Sequence, residues 1–187
     1  MTGDASALEN YQRYRAGDES ALGDVIRAYA DGMTFFTSTL VKNPDDAEEI
    51  VSDAFVEIAL KKRAFRGESA LRTYLYAICR HKAIDLIRKR ARRGEIVSLS
   101  DDQTADLDTL EGRVLRTERD GAIHRAMTEL CEEYRVALYL VYFEDMSHDD
   151  VARAMKKSRK QTENVIFRAR RALRALLEKE GFTHEEL

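Results

Sequence analysis

The stretch SHDDVARAMKKSRKQTENVIFRARRALRALL, residues 147–177, decides how the chain reads. Ser147 followed by His148, Asp149 and Asp150 starts a short helix: a serine N-cap, then acids placed against the positive end of the helix dipole. That helix carries Val151, Ala152 and Met155. After Lys156 and Lys157, the run Ser158-Arg159-Lys160-Gln161 has the S-x-x-Q form of a capping box. A longer helix follows, with Val165, Ile166, Ala169, Leu173, Leu176 and Leu177 on its apolar face. Short helix, tight turn and capped basic helix describe a helix-turn-helix. Any helical hairpin shares the apolar pattern, so the density of Lys and Arg on the second helix is what points to DNA.

In such a motif the second helix lies in the major groove, with its N-terminal residues at base edges. Arg159 and Lys160 can donate to guanine, Asn164 can pair with adenine, Glu163 can accept from cytosine, and Phe167 can touch a thymine methyl. Arg168, Arg170 and Arg171 suit phosphates, while Arg174 and Lys179 are expected only to solvate the helix.

Upstream, helical spacing dominates. Leu22, Val25, Ile26, Tyr29, Met33 and Phe36 recur at intervals of three and four within 8–41. Asn43-Pro44-Asp45-Asp46 is a helix start, with Asn as N-cap and Pro at the first helical position. From it runs an apolar stripe of Ala47, Ile50, Ala54, Phe55 and Ile58, with Glu49, Asp53 and Glu57 on another face. Residues 65–69 contain Gly67 and read as a turn. Leu71, Tyr74, Leu75, Ile78, Cys79 and Leu86 then share one arc of a helix that carries eight Arg and Lys and stops near Gly94. Residues 98–108, SLSDDQTADLD, hold four aspartates and no base, the composition of a flexible acidic linker. Helical spacing returns by about Val114, through Ile123, Met127 and Leu130 and then Leu138, Val141 and Tyr142.

The net charge of −3 conceals a segregation. Residues 1–60 carry −8, 61–93 carry +10, 94–150 carry −10 and 151–180 carry +7. Solvated helix faces usually mix both signs; two basic blocks parted by acidic ones suggest two polyanion-binding surfaces. The first block differs in kind, interleaving cations with Tyr74, Tyr76 and His81, and with Phe65 just before it. Aromatics beside cations suit unstacked or single-stranded bases. Core packing is the competing reading for these rings, and is preferred for Tyr74.

One proline and nine glycines supply little of the punctuation that all-β folds need, so an all-α fold is expected. Two cysteines make neither a disulfide framework nor a four-thiolate zinc site. No signal-peptide-like or 18-residue apolar run is present, which makes a reduced, cytoplasmic setting the default. His81 with Asp85, and Glu49 with Asp53 and Glu57, stand four apart, but no further histidine sits at ligand spacing. Neither a phosphate-cradling glycine loop nor a nucleophile elbow occurs. Neither enzyme activity nor any cofactor or metal is therefore expected.

The ordered motifs resemble the bacterial RNA polymerase sigma factors of the extracytoplasmic-function type, the two-domain group of the sigma-70 superfamily. DAEEIVSDAFVEI (46–58) is similar to that family's D-A-E-D-L-V-Q-E-x-F segment, and LRTYLYAICRHKAIDLIRK (71–89) to its tWLyrIArNxaiDxxR. RAGDESAL (15–22) and the stretch from Leu130 to the helix-turn-helix complete a likeness over 134 of 187 residues. The resemblance implies two small helical domains: a region 2-like bundle at 8–93 and a region 4-like domain at 113–180, with its helix-turn-helix at 147–177. A flexible acidic linker, 94–112, would join them.

It implies that Asp46, Glu49, Ser52 and Asp53 dock on the β′ clamp of core polymerase. Arg63, Phe65, Arg72, Tyr76, Arg80, His81, Lys82 and Arg88 would bind and help melt the −10 promoter element. Arg159, Lys160, Glu163, Asn164, Phe167, Arg168, Arg170 and Arg171 would read the −35 element, with the β flap nearby. An anti-sigma factor is an expected partner. The chain departs from the pattern at Tyr74 (usually Trp), His81 (usually Asn), Ser52 (usually Gln) and Lys156-Lys157 (usually Gly and an aliphatic). Lys156 is therefore expected to take a left-handed backbone. The competing reading is a dimeric helix-turn-helix regulator, which would leave the 46–58 helix and the first basic block without a role.

Overall fold

A computed structural model describes residues 2–61, 65–93, 118–179 and 181–182, and every regular element among them is an α-helix. Arg63, the acidic stretch 94–112 and Val114, where helical spacing is expected to return, lie outside the described residues. The described residues fall into two compact units.

The N-terminal unit comprises α1 (Thr2–Arg15), α2 (Ala21–Val41), α3 (Pro44–Leu60) and α4 (Leu71–Arg92). The apolar run within 8–41 thus divides into two helices, parted at Gly17, whose φ of 115° suits a residue without Cβ. Lys42 ends α2 in the left-handed region, its N–H donating to the Ser38 carbonyl. Asn43 then caps α3 as its sequence demands: the side-chain oxygen accepts from the Asp46 N–H at 3.0 Å, with Pro44 in the first turn.

All five residues of the predicted α3 stripe (Ala47, Ile50, Ala54, Phe55 and Ile58) are buried. They meet Val25, Met33 and Phe36 of α2 and Leu71, Leu75 and Cys79 of α4 in one core. Each fully buried aliphatic or aromatic side chain there contributes about 2 kcal/mol. Leu22 and Ile26, expected with them, are only half-buried. The Tyr11 hydroxyl donates to the Ile58 carbonyl at 3.3 Å and the Tyr14 hydroxyl to the Ala59 carbonyl at 3.2 Å. Helix α1 thereby satisfies carbonyls in the last turn of α3 that have no partner within the helix. Burial pushes the Cys79 thiol up to about 12, so this cysteine is an inert core residue.

The C-terminal unit comprises α5 (Glu118–Glu129), α6 (Glu132–Tyr142), α7 (His148–Met155) as far as Ala152, and α8 (Arg159–Lys179). Val136, Leu138, Leu140, Val151, Ile166 and Ala169 are buried. Ala122, Ala126 and Leu177 form a smaller cluster capped by Ile123, Leu173, Leu176 and Phe182. The periodicity that grouped Tyr142 with this core does not hold to the end of α6, where Tyr142 is 57% exposed.

Both predicted caps form. The Asp150 N–H donates to Ser147 Oγ at 3.2 Å. At α8 the box closes reciprocally, the Gln161 N–H donating to Ser158 Oγ at 3.2 Å and the Ser158 N–H to Gln161 Oε1 at 2.9 Å. Lys156 has φ 53°, the left-handed turn expected between the two helices. Lys157 pins that turn to α6 through Glu133, at 2.7 Å.

Candidate nucleic-acid interface

Helix α8 turns Thr162, Val165, Ile166, Ala169 and Leu177 inward, and this decides what it shows to solvent. All eight residues predicted on its DNA face (Arg159, Lys160, Glu163, Asn164, Phe167, Arg168, Arg170 and Arg171) are exposed. At 100° per residue, Lys160, Asn164, Phe167 and Arg171 run down the middle of that face, and Arg168 and Arg170 flank it on opposite sides. A helix seated in a groove brings its central stripe to the bases and its flanks to the two phosphate walls.

The eight are not equivalent. Arg159 bonds Asp149 of α7 at 2.7 Å and Glu163 at 3.0 Å, so two predicted base readers are tied to one another. Arg170 lies over the Tyr142 ring at 5.4 Å and Arg171 over Phe167 at 5.9 Å, contacts in which a cation is held against an aromatic face. Phe167 itself is 61% exposed, an apolar ring presented to solvent in the middle of a charged face.

The N-terminal unit corrects two aromatic expectations. Tyr76 is 1% exposed and packs on Phe36 with ring centroids 5.2 Å apart. It shares the face of Cys79 and Ala83, three and seven residues on, which the core occupies, so it offers no ring for stacking. Phe65 is 5% exposed, edge-on to Tyr11 at 5.8 Å and tilted against Tyr74 at 5.4 Å. Tyr74, expected in the core, is only half-buried.

Among the predicted cations, Arg72 bonds Asp4 of α1 at 3.0 Å and serves the packing of α4. Arg80 is half-buried, whereas His81 and Arg88 are exposed. His81 lies 3.5 Å from Asp85. Lys82 reaches Asp53 of α3 at 3.0 Å.

The turn before α4, where the resemblance puts Phe65 at the −10 element, encloses a cavity. Phe65, Arg66, Glu68, Ser69 and Tyr74 line this cavity of about 350 Å³. Gly67, with φ 78°, lets the chain fold back around it. Phe65 is buried behind it, so half-buried Tyr74 is the ring that can meet an extruded base, with the guanidinium of Arg66, the carboxylate of Glu68 and the hydroxyl of Ser69 as edge partners. Its signs in the sequence are the turn at 65–69 and Phe65 set just before a run of cations.

The four predicted docking residues all lie on α3. Glu49, Ser52 and Asp53 are exposed, but Asp46 is 15% exposed and held by the Arg90 guanidinium, whose Nη2 lies at 2.9 Å. Asp46, Glu49, Ile50 and Asp53 face Lys82, Asp85, Leu86 and Lys89 across a groove of about 280 Å³. Among the described residues no group of three or more His, Cys, Asp and Glu could hold a metal ion. No described helix is long and apolar enough to cross a membrane.

Comparison with known proteins matches residues 25–93 to the family model Sigma-70 region 2, and residues 120–173 to Sigma-70, region 4. The chain is 28% identical to the RNA polymerase sigma-H factor of Pseudomonas aeruginosa, covering 87% of this chain and 89% of that one. It is 24% identical to the ECF RNA polymerase sigma factor SigM of Bacillus subtilis, over 83% and 94% of the two chains. The fold is similar to that of the sigma factor RpoE crystallised with the anti-sigma factor NepR from Bartonella quintana. That match has a TM-score of 0.61 and 21% identity, over 79% of this chain and 90% of the other.

Proposed function

The chain belongs to the sigma-70 family of RNA polymerase sigma factors, in its extracytoplasmic-function group, and from that premise we propose how its two units divide the work. It binds core RNA polymerase and directs promoter-specific initiation of transcription. In our reading α8 of the C-terminal unit enters the major groove of the −35 element, with Lys160, Asn164 and Phe167 towards the bases and Arg168 and Arg170 towards the two phosphate walls. The N-terminal unit takes the −10 element along the exposed side of α4, with His81 and Arg88, and with Lys82 at its border with α3. The cavity before that helix receives a base taken out of the stack. Extruding one base costs about a few kcal/mol, and stacking with edge contacts in the cavity offsets it. Phosphate contacts from the two basic blocks supply the sequence-independent part of the affinity.

The exposed acids of α3 dock on a basic surface of core polymerase. Sigma factors are not a family of enzymes, and no bond-making step is assigned to this chain, because the polymerase supplies the chemistry. By this reading it works in the cytoplasm, where that polymerase acts, and an anti-sigma factor would regulate it by covering the same faces.

One observation carries the reading: the capped helix α8 turns every predicted DNA-reading side chain outward while a second, separate unit presents its own basic helix. A dimeric helix-turn-helix regulator is not favoured, since it gives the region 2 unit nothing to do. The decisive test is fluorescence anisotropy of the labelled chain with sigma-free core polymerase. Saturable 1:1 binding, competed by another sigma factor, is expected; a folded chain that does not bind core would overturn the reading.

A further inference from the structure

Helix α3 has a solvent stripe that changes character along its length. Asp45, Glu49, Ser52 and Asp53 occupy its first half and Val56 and Leu60 its second, all within one arc of the helix. The opposite face, with Ala47, Ile50, Ala54 and Ile58, is committed to the core, so nothing can turn the aliphatic pair inward. Val56 is 50% exposed and Leu60 80%. Five large apolar side chains are exposed among the described residues, and the only two in the N-terminal unit stand on this one stripe.

Single exposed aliphatics are ordinary; two placed a turn apart, in line with a row of acids, are a surface. Solvated carboxylates steer a partner and set its orientation, but contribute little affinity once screened by salt. Tight association needs apolar side chains removed from water near the middle of the contact. The acids of α3 alone would make a weak, salt-sensitive dock.

We infer that Val56 and Leu60 are the apolar anchors of the α3 docking surface, which therefore runs the length of the helix rather than ending at Asp53. This rests on the reading of α3 as the polymerase-docking element. The surface spans about 22 Å from Asp45 to Leu60 at 1.5 Å per residue. Acids at one end and aliphatic side chains at the other fit a surface of core polymerase that carries cations and aliphatic side chains in the matching order.

The test compares the full-length chain with Leu60→Gln, Val56→Ser and the double variant, by anisotropy titration against core polymerase across a salt series. Both positions face solvent, so the variants are expected to fold, as checked by circular dichroism. Each single variant is expected to weaken binding roughly tenfold, from the aliphatic area left wet. That loss should be nearly constant across the salt series, whereas the loss caused by changing Asp53 should shrink as salt rises. Leu60→Met should bind nearly as the parent does. Failure of the parent chain to bind core would sink the docking reading itself. Binding by the parent, matched within about twofold by the folded double variant, would overturn the anchors alone. So would a change confined to the chain's own oligomeric state in sedimentation, which would make a second copy the occupant.

Discussion

The Lys82 ammonium donates to the Asp53 carboxylate across 3.0 Å, joining the basic helix α4 to the acidic face of α3 over 29 residues of sequence. The carboxylate is 58% exposed and the lysine 29%, so the contact is a surface ion pair, worth at most about 1 kcal/mol to the fold. What it does is place opposite charges side by side along the groove between the two helices, where a basic partner and an acidic one would each find its complement.

Asp53→Arg should therefore leave the fold nearly unchanged while weakening core binding. The new cation stands beside Lys82 and opposes a basic partner. A melting temperature close to the parent's, with core affinity reduced at least about fivefold at low salt, is the expected pair of results. Unchanged affinity in a folded variant would remove Asp53 from the docking surface.

On α8, Asn164→Ala should cost about 1–3 kcal/mol on the cognate −35 duplex and almost nothing on a scrambled one, since a base-edge contact carries sequence information. Arg168→Ala should instead weaken both duplexes alike and flatten the salt dependence. Neither change should affect core binding. Equal losses for Asn164→Ala on both duplexes would place that residue on phosphates.

Glu68 borders the cavity before α4 and is exposed, so Glu68→Gln should not disturb the fold. It replaces a pure acceptor by a group that also donates, which changes the edge offered to an extruded base. Open-complex formation, followed by permanganate reactivity of unpaired thymines, is expected to change its preference among −10 variants. The −35 duplex affinity should stay as it was. An unaltered −10 preference would count against base capture there.

Lys156 holds φ 53° at the turn between α7 and α8, a conformation that costs a residue with a Cβ about 1 kcal/mol. Lys156→Gly removes that strain but gives the unfolded chain more freedom, so the net gain should be roughly 0.5 kcal/mol. Denaturant unfolding of the full chain, followed at the helix-turn-helix, should show its transition shifted upward by that amount. A clear loss of stability would mean that the lysine side chain contributes something beyond its backbone angle.

Legibility in the sequence followed the range of the interactions. The caps at Asn43, Ser147 and Ser158 were readable because each closes within three residues. The α3 stripe was readable because helical geometry repeats every 3.6 residues. The exposed side of α8 followed from the same periodicity, since long apolar runs locate the buried face and leave only one other.

The aromatics were not readable in this way. Tyr76, Phe65, Tyr74 and Tyr142 are all rings beside cations or at the margin of an apolar arc, and composition treats them alike. Tyr76 is inside because Phe36, forty residues earlier in the chain, meets it. Phe65 is inside because α1 brings Tyr11 against it. Tyr142 is outside because it ends α6 on the side where Arg170, rather than an apolar neighbour, comes across from α8.

The sequence by itself thus determined the helices, their caps, the segregation of charge and the family. Tertiary structure alone decided which aromatic rings reach solvent, which cations are already paired with acids, and that a cavity stands before α4. The reason is physical: helix periodicity and capping are local, set by backbone geometry over a few residues. Burial and ion pairing depend on which distant surface arrives, and no local pattern encodes that.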